Sequence, residues 1–284
     1  MARAIVRYAV AAISDCGSRR PSNEDAFGYS AEHGVYIVCD GMGGAAAGEI
    51  ASSEAVNEVL RLLSDRAGKE EARLEDLVAE AIFAANHAIY SHAQQNPALG
   101  GMGTTLAGLV TDGPRVLVFN VGDSRCYRMR EPRPEPVKTE EIDAEGSAPH
   151  EMSQVETPPA GTEPGQKRLL QISQDHSLVA EQVRMGRMTH EEALRSNYRN
   201  VITRALGTQP TVPPDIFELE AGVGDIFLLC SDGLTGEISD ERIESILATD
   251  LPLEQLSAQL VDAANHAGGH DNITCMLVRA ELAS

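Results

Sequence analysis

Four short apolar runs in this chain each begin or end at an aspartate that has glycine or serine beside it. The runs are VYIVCDGMGG, VFNVGDSR, FLLCSDG and GGHDNITCMLV, and their aspartates are Asp40, Asp123, Asp232 and Asp271. A short apolar run bounded by glycine is typical of a buried strand, and the end of a strand is a rigid mount for a side chain. The pattern therefore predicts four aspartates on separate strands that converge on one cleft.

Converging carboxylates raise one another's pKa unless a cation neutralises them, and all-oxygen ligands favour Mg²⁺ or Mn²⁺ over Zn²⁺. Asp40 is the natural bridge between two ions that share a carboxylate and activate a water. The missing Cβ of Gly41 lets its carbonyl approach an ion as a further ligand. The alternative is that each aspartate only opens a turn, and four repeats of one pattern favour the metal site over that reading.

The length and the charge of the chain exclude several classes of function. The chain has 284 residues, enough for one large domain or two small ones, and a formal net charge of −20 from 43 acidic and 23 basic residues. Such a charge repels a phosphate backbone, so we expect no nucleic-acid partner. No stretch approaches the roughly 18 apolar residues of a membrane span, and the first residues lack the features of a signal peptide. The five cysteines include no CxxC pair and fit reduced core residues, so we expect a cytosolic protein.

Strand and helix patterns occur in blocks, which indicates an α+β fold with antiparallel sheets. Helical spacing predicts helices over 46–63 and 74–95 and a continuous helical pattern over 177–196. Residues 14–28 are expected to turn between two strands, and the turn at 112–114 predicts a hairpin. Residues 131–167 form an insert whose first 34 residues hold seven prolines and nine acidic residues. We expect this acidic insert to be a disordered or loosely held loop, either a passive linker or a docking segment.

Seven motifs occur together along the chain. They are Arg20-xx-Asn23-Glu24-Asp25, Asp40-Gly-Met-Gly-Gly, Gly103-Thr104-Thr105, Gly122-Asp123-Ser124-Arg125, Asp175-His176-Ser177, Ser231-Asp232-Gly233-Leu234 and Asp271-Asn272-Ile273-Thr274. In this order and at these spacings the chain resembles the PPM family of metal-dependent protein serine/threonine phosphatases, the type-2C phosphatases. The resemblance runs from about residue 8 to residue 279 and is interrupted by the acidic insert.

The resemblance implies a single catalytic domain over 1–284, a four-layer α/β/β/α sandwich with two central antiparallel sheets flanked by helix pairs. It also implies that Asp40 bridges two Mn²⁺ or Mg²⁺ ions, and that Asp232 and Asp271 complete the first. It further implies that the Gly41 carbonyl is a ligand of the second ion, and that Asp25 and Glu24 contact that ion largely through water. Arg20 is implied to bind the substrate phosphate, and Asp123 to hold a third ion together with Asp232.

Two positions depart from the family pattern. Met42 stands where eukaryotic relatives carry a histidine that is a candidate general acid, and methionine cannot donate a proton. Protonation of the leaving group must then come from water on a metal or from another residue, with His270 as a weak candidate. Asn200 stands where some bacterial relatives place a serine near the third ion, and its amide oxygen can still be a ligand. Residues 177–200 resemble a flap beside the channel, which either selects substrates or only packs.

The resulting prediction is a bacterial-type protein phosphatase that hydrolyses phosphoserine and phosphothreonine by direct attack of metal-activated water. Its expected partners are phosphorylated proteins, a Hanks-type kinase and that kinase's substrates, and the chain is expected to be a monomer. One alternative, a metal-dependent nucleotide hydrolase, is disfavoured because no GxxxxGK[ST] loop occurs. The other is a catalytically silent binder of phosphoproteins on the same scaffold, which is disfavoured because competent residues fill every expected ligand position.

Overall fold

The computed structural model describes residues 6–65, 72–130 and 167–283, so the acidic insert lies outside the described residues except for Lys167. The strands are β1 Val6–Asp15, β2 Ala26–Ser30, β3 Val35–Cys39, β4 Gly41–Met42, β5 Gly103–Thr104, β6 Leu106–Asp112, β7 Arg115–Val121, β8 Arg125–Arg130, β9 Arg168–Gln171, β10 Asp215–Glu220, β11 Ile226–Cys230 and β12 Ile273–Leu282. The helices are α1 Ala45–Ser64, α2 Leu74–Gln95, α3 Leu178–Arg184, α4 His190–Arg195, α5 Asp232–Thr235, α6 Asp240–Leu247 and α7 Leu253–Ala267.

Two five-stranded antiparallel sheets form the centre of the molecule. The first has the strand order β1-β12-β11-β8-β9, and the second has the order β10-β7-β6-β3-β2. Strand β1 pairs with β12 over ten residues, from Val6 opposite Leu282 to Asp15 opposite Ile273. The predicted hairpin is present as β6 and β7, in which Asp112 pairs with Arg115 across the turn.

Three hydrophobic cores separate four layers. Helices α1 and α2 bury their apolar faces against the second sheet, around side chains such as Ile37 and Phe119. Helices α6 and α7 cover the outer face of the first sheet. Between the two sheets, Tyr36 and Phe227 are among the fully buried side chains that fill the central core. The α+β sandwich that the resemblance implied is therefore confirmed. Among the described residues, no helix combines the length and apolar character needed to cross a membrane.

Two local features differ from the sequence expectation. The segment after β1 was expected only to turn, but Ala26–Ser30 forms the edge strand β2. Gly28 interrupts the apolar pattern of that strand because helix α1 packs on it, and a Cβ there would lie 2.5 Å from Val56 Cγ1. The continuous helical pattern over 177–196 is two short helices, broken at Gly186 with a φ of 67°.

Helix α2 holds the loop that follows the predicted flap. The side chain of Asn86 is fully buried, and its Oδ1 accepts a hydrogen bond of 2.8 Å from the Gly207 N–H. Its Nδ2 donates to the carbonyls of Gln209 and Pro210, each at 3.1 Å. One side chain thus satisfies three backbone groups of the loop, which links the helical layer to the residues around the site.

Replacement of Asn86 by Ala is expected to lower the free energy of unfolding by about 2–4 kcal/mol, because it leaves the buried Gly207 N–H without a partner. Urea denaturation monitored by circular dichroism measures the loss. The matched control is Asn57→Ala on the exposed face of α1, where the asparagine makes only a 3.5 Å contact to Ser53 and should contribute less than about 0.5 kcal/mol. Equal losses in both variants would contradict this role of Asn86.

Candidate metal centre

Strand ends bring the four predicted aspartates to one end of the sandwich. Asp40 follows β3, Asp123 follows β7, Asp232 opens α5 directly after β11, and Asp271 precedes β12. Each of these strands is central in its sheet, with a neighbour on both sides. The expectation that the aspartates are mounted on separate strands agrees with this placement.

Two threonines fix the backbone at Asp40. The Asp40 N–H donates to Thr105 Oγ1 at 2.9 Å, and the Asp40 carbonyl accepts from Thr104 Oγ1 at 2.8 Å and from the Thr105 N–H at 2.9 Å. Thr105 Oγ1 also lies 2.6 Å from Ser124 Oγ, beside Asp123. The GTT motif therefore ties the Asp40 loop to the Asp123 loop through buried hydroxyl groups.

The carboxyl groups interact strongly with each other. Burial raises the pKa of Asp40 well above its usual value, and the charges of Asp25, Asp232 and Asp123 add to the effect. A side-chain hydrogen bond joins the carboxyl groups of Asp40 and Asp232. Burial and the charge of Asp271 also raise the pKa of Asp232. Five acidic groups of the predicted set are thus linked by electrostatic interactions.

Asp25 joins this group from the loop before β2. Burial raises its pKa to about 7, with a smaller contribution from Asp232. Ser231 Oγ donates to Asp25 Oδ2 at 2.7 Å. Burial likewise raises the pKa of Asp123 to about 7, again with the charge of Asp232 as the next cause. Both carboxyl groups therefore favour the protonated form at mildly acidic pH when no cation is near.

Two orphaned oxygen atoms indicate what these groups are suited to bind. Within the described residues, Asp25 Oδ1 and Asp123 Oδ1 are buried and have no hydrogen-bond partner. A buried acceptor without a partner costs free energy, and a divalent cation with oxygen preference supplies the missing interaction. The donor set of carboxylates and backbone carbonyls also fits Mg²⁺ or Mn²⁺. The residues present therefore fit a hard divalent metal.

The carboxylates nevertheless do not form a finished cage. In the part of the chain that the structure describes, no three Asp, Glu, His or Cys side chains are grouped so that they could hold an ion as they stand. Asp40 and Asp232 hydrogen-bond to each other, and Asp271 Oδ2 accepts from Arg20 Nη2 at 2.6 Å. A shared ion would therefore have to replace both of these contacts.

The remaining predicted residues lie around this centre. Arg20 is close to Glu24 and Asp40 as well as to Asp271, and these charges raise the pKa of its guanidinium against the effect of burial. Burial raises the pKa of Glu24, with the charge of Arg20 opposing the shift. Gly41 is crowded by backbone, since a Cβ there would lie 2.2 Å from the Gly48 carbonyl oxygen and 2.5 Å from that of Glu24. The sequence-predicted residues therefore lie together.

An open cleft of about 840 Å³ leads to the centre. Asp123, Asp232 and Asp271 line it together with α3 and α4 of the predicted flap. Asn200, the position where the family pattern is broken, lines the same cleft. His270 lies there too, with its Nδ1 2.8 Å from Glu237 Oε1. The flap and the acidic centre thus border one space large enough for a peptide segment.

Comparisons with known proteins agree with this geometry. The family model described as Protein phosphatase 2C matches residues 16–141. The serine/threonine phosphatase stp of Listeria monocytogenes is 34% identical over 278 residues, which cover 95% of this chain and 94% of that protein. This chain belongs to the protein phosphatase 2C family.

Solved structures of relatives have the same architecture. The serine/threonine phosphatase PstP/Ppp of Mycobacterium tuberculosis is 34% identical and superposes with a TM-score of 0.76, over 98% of this chain and 99% of that one. The catalytic domain of PstP in complex with two manganese ions is 32% identical, with a TM-score of 0.75 over 97% of this chain and 99% of that one. The type-2C fold expected for this chain is thus shown along nearly all of its length.

Sequence reasoning missed the polar residues that hold this type-2C centre in place. Asn272 Oδ1 accepts from the Glu24 N–H at 2.8 Å, and its Nδ2 donates to the carbonyls of Cys16 and Ser22, each at 2.9 Å. Ser231 bonds Asp25, as described above. Both residues sit directly beside predicted ligands in the SDG and DNIT motifs, and that adjacency was the signal available.

The raised pKa of Asp123 predicts a pH dependence of stability in a metal-free buffer with EDTA. Between about pH 4 and about pH 7 the folded protein keeps a proton that the unfolded chain has released, so stability falls as pH rises through this window. Asp123→Asn removes the free-energy cost of ionising this buried carboxyl group. The substitution should therefore stabilise the protein by about 2 kcal/mol at pH 8 and have little effect at pH 4.

Urea unfolding of the wild type and the Asn variant at both pH values measures this difference. Asp112→Asn in the exposed turn of the β6–β7 hairpin is the control and should change stability by less than about 0.5 kcal/mol at either pH. A gain from Asp123→Asn that is the same at both pH values would show that removal of the charge is not its cause.

Proposed function

We propose that this chain is a protein serine/threonine phosphatase that hydrolyses phosphoserine and phosphothreonine by direct attack of water at a binuclear Mn²⁺ or Mg²⁺ centre. The observation that carries the proposal is the buried group of aspartates from separate strands, two of which carry unpaired oxygens. The relative with two manganese ions and the relatives that are serine/threonine phosphatases support it.

In this proposal the metal ligands keep the roles that the family resemblance gave them. Asp40 would hold both ions, Asp232 and Asp271 would complete the first, and the carbonyl of Gly41, with Asp25 and Glu24 largely through water, would hold the second. When bound, the ions polarise the phosphoryl oxygens and make hydroxide available near neutral pH. Asp123 and Asp232 would share a third ion, and Asn200, which lines the same cleft, is the residue that would offer it an amide oxygen.

Arg20 is proposed to bind the substrate phosphate. Its guanidinium presents a fork that matches a phosphate dianion bidentately. The ion pair with Asp271 does not oppose this role strongly, since the two side chains are 46% and 36% exposed and such exposed pairs contribute only about 0–1 kcal/mol. Arg20 can therefore exchange Asp271 for a phosphate at small cost, which also frees Asp271 for a metal.

The leaving alkoxide needs a proton, and Met42 cannot supply one. Water at the centre is one source. His270 is the other candidate, because it lines the cleft beside Asp271 and the carboxylate of Glu237 engages its Nδ1. That contact leaves Nε2 as the nitrogen available to a substrate.

The test of the function is hydrolysis of a phosphothreonine peptide with added Mn²⁺, its loss in EDTA, and the absence of a phosphoenzyme after acid quench. ATP serves as the competing substrate. Preferred hydrolysis of ATP would favour the nucleotide hydrolase, and peptide binding without phosphate release would favour the silent binder. Neither alternative has a specific observation in its favour.

Asp232→Asn is expected to lower kcat for the peptide by at least about 100-fold, because it removes one charge from a ligand of the first ion and from the third site. Phosphate release at saturating Mn²⁺ measures the loss. The control is Asp262→Asn on the exposed face of α7, which should keep wild-type activity. Undiminished turnover by Asp232→Asn would refute the assignment.

Arg20→Ala is expected to raise KM for the peptide about tenfold with a smaller change in kcat, since a charged hydrogen-bond pair to the phosphate contributes about 1.5–3 kcal/mol. Steady-state kinetics separate the two constants. The neighbouring Arg19 is also exposed, and Arg19→Ala is the control with the same change in net charge. A large fall in kcat with an unchanged KM would instead place Arg20 in the chemical step.

We further infer that the phosphatase acts in the cytoplasm, as a monomer, on targets of a Hanks-type kinase. The five free cysteines support a reducing compartment, since four of them are buried and none is paired. The bacterial relatives named as serine/threonine phosphatases support phosphoprotein substrates. Phosphoproteomics of a strain that lacks this chain identifies the substrates as the phosphosites that increase, and a second strain that also lacks the kinase identifies the sites that the kinase supplies.

A further inference from the structure

His176 is a buried side chain that neither the metal centre nor the substrate contacts described above use. Its exposed fraction is 1%. Its ring Nδ1 accepts a hydrogen bond of 3.1 Å from the Gly122 N–H, and its Nε2 lies 3.1 Å from Asp215 Oδ2. Because Nδ1 accepts, a neutral ring carries its proton on Nε2 and donates it to Asp215. Burial lowers the pKa of His176, which favours this neutral form.

The backbone of His176 closes the base of the predicted flap. The Thr203 N–H donates to the His176 carbonyl at 2.8 Å, and the Leu178 N–H donates to the Val201 carbonyl at 2.8 Å. Ser177 and Ile202 form an antiparallel bridge between these two contacts. The segment that contains α3 and α4 therefore leaves and rejoins the body of the protein at one short ladder, and His176 is its first residue.

The same residue holds the loop that carries Asp123. The His176 N–H donates to the Gly122 carbonyl at 2.9 Å, so ring and backbone together engage both polar groups of Gly122. Gly122 has a φ of 103°, and a Cβ there would lie 2.7 Å from Thr105 Cγ2. Gly122 therefore lies between Thr105, which leaves no room for a side chain, and His176, which hydrogen-bonds to its backbone.

Asp123 directly follows Gly122, so the contacts that hold the backbone of Gly122 also restrain the position of the Asp123 carboxylate. Its Oδ1 is buried without a hydrogen-bond partner among the described residues, so no hydrogen bond fixes that oxygen. On its other side His176 is anchored by Asp215, whose second oxygen accepts from Arg204 Nη1 at 3.0 Å. A continuous set of contacts therefore runs from the flap base, through one imidazole ring, to a carboxylate of the metal centre.

We propose that His176 is a positioning residue that couples the base of the flap to Asp123, so that the flap and the ion held by Asp123 stabilise each other. The inference rests on the proposed function, which makes Asp123 a metal ligand. A bound ion fixes Asp123 and Gly122, and His176 passes that restraint to the flap base. Such coupling is reciprocal by thermodynamic linkage, so an ordered flap base also raises the affinity for the ion.

Two substitutions distinguish the contact made by Nδ1 from the contact made by Nε2. Asn places an amide oxygen near the position of Nδ1, so His176→Asn keeps an acceptor for the Gly122 N–H and loses the contact to Asp215. Gln places its amide near the position of Nε2, so His176→Gln keeps the contact to Asp215 and loses the acceptor for Gly122. A merely structural histidine has no reason to prefer one amide over the other by metal affinity.

The experiment is calorimetric titration of the full chain with Mn²⁺. Asp123→Asn identifies the binding event that depends on Asp123. For that event His176→Gln is expected to weaken affinity about tenfold, as is usual for residues that orient a metal ligand, whereas His176→Asn should stay within about threefold of wild type. The other binding events should be unchanged in both variants. Equal affinity in the two variants, or the reverse order, overturns the proposal.

Amide hydrogen exchange at Leu178 and Thr203 gives a readout that does not depend on activity. Mn²⁺ is expected to slow exchange of these flap-base amides in the wild type and in His176→Asn, and to lose that effect in His176→Gln. Asp215→Ala leaves the imidazole and its acceptor for the Gly122 N–H in place, so it should keep the Mn²⁺ effect as His176→Asn does. Asp123→Asn should lose the effect and is the variant to use if the His176 variants unfold. Exchange that Mn²⁺ slows equally in all variants overturns the coupling.

Hydrolysis of the phosphothreonine peptide by the wild type keeps the two proposals distinguishable. A wild type that binds Mn²⁺ and turns over peptide, with His176→Gln identical to it in Mn²⁺ affinity and exchange, contradicts only the role of His176. A wild type that neither binds Mn²⁺ nor releases phosphate contradicts the proposed function itself.

Discussion

The burial of several like charges at one point is the constraint on which this structure depends. Asp25, Asp40, Asp123 and Asp232 lie in surroundings that disfavour the charged form, and each adds to the penalty of its neighbours. Such a group persists only where rigid elements hold it. Central strands of two sheets supply that rigidity, and the GTT, SDG and DNIT motifs supply the hydroxyl and amide groups that fix the loops between them.

The cost of this arrangement also explains how a metal-dependent activity arises from it. Without a cation, such carboxylates take up a proton or turn toward water. The hydrogen bond between the carboxyl groups of Asp40 and Asp232 is an example, since it requires a shared proton. A divalent cation converts their repulsion into attraction and satisfies the orphaned oxygens of Asp25 and Asp123. Catalysis and stability are therefore in conflict at this site until the ions bind, which is common where function requires a strained constellation.

Much of the fold and of the metal centre could be predicted from the sequence, because repeated local patterns encode them. Both ends of α2 and the hairpin of β6 and β7 follow from periodicity and turn residues. The convergence of the aspartates follows from one pattern found at four strand ends. The contact of Arg20 with Asp271 could not be predicted, since 251 positions separate the residues and only the tertiary fold joins them. The break at Gly186 was visible as a glycine, but a single glycine does not always end a helix.

The pairing of β1 with β12 has a consequence for the order of assembly. In the described sheet β1 has β12 as its only neighbour, and β12 also lies against β11 and carries the DNIT motif at its start. During synthesis on the ribosome, the earliest strand thus waits for one of the latest before it can dock. A nascent chain cannot bring the DNIT motif to the metal centre until β12 has emerged from the ribosome, so the site is completed only after both strands have been synthesised.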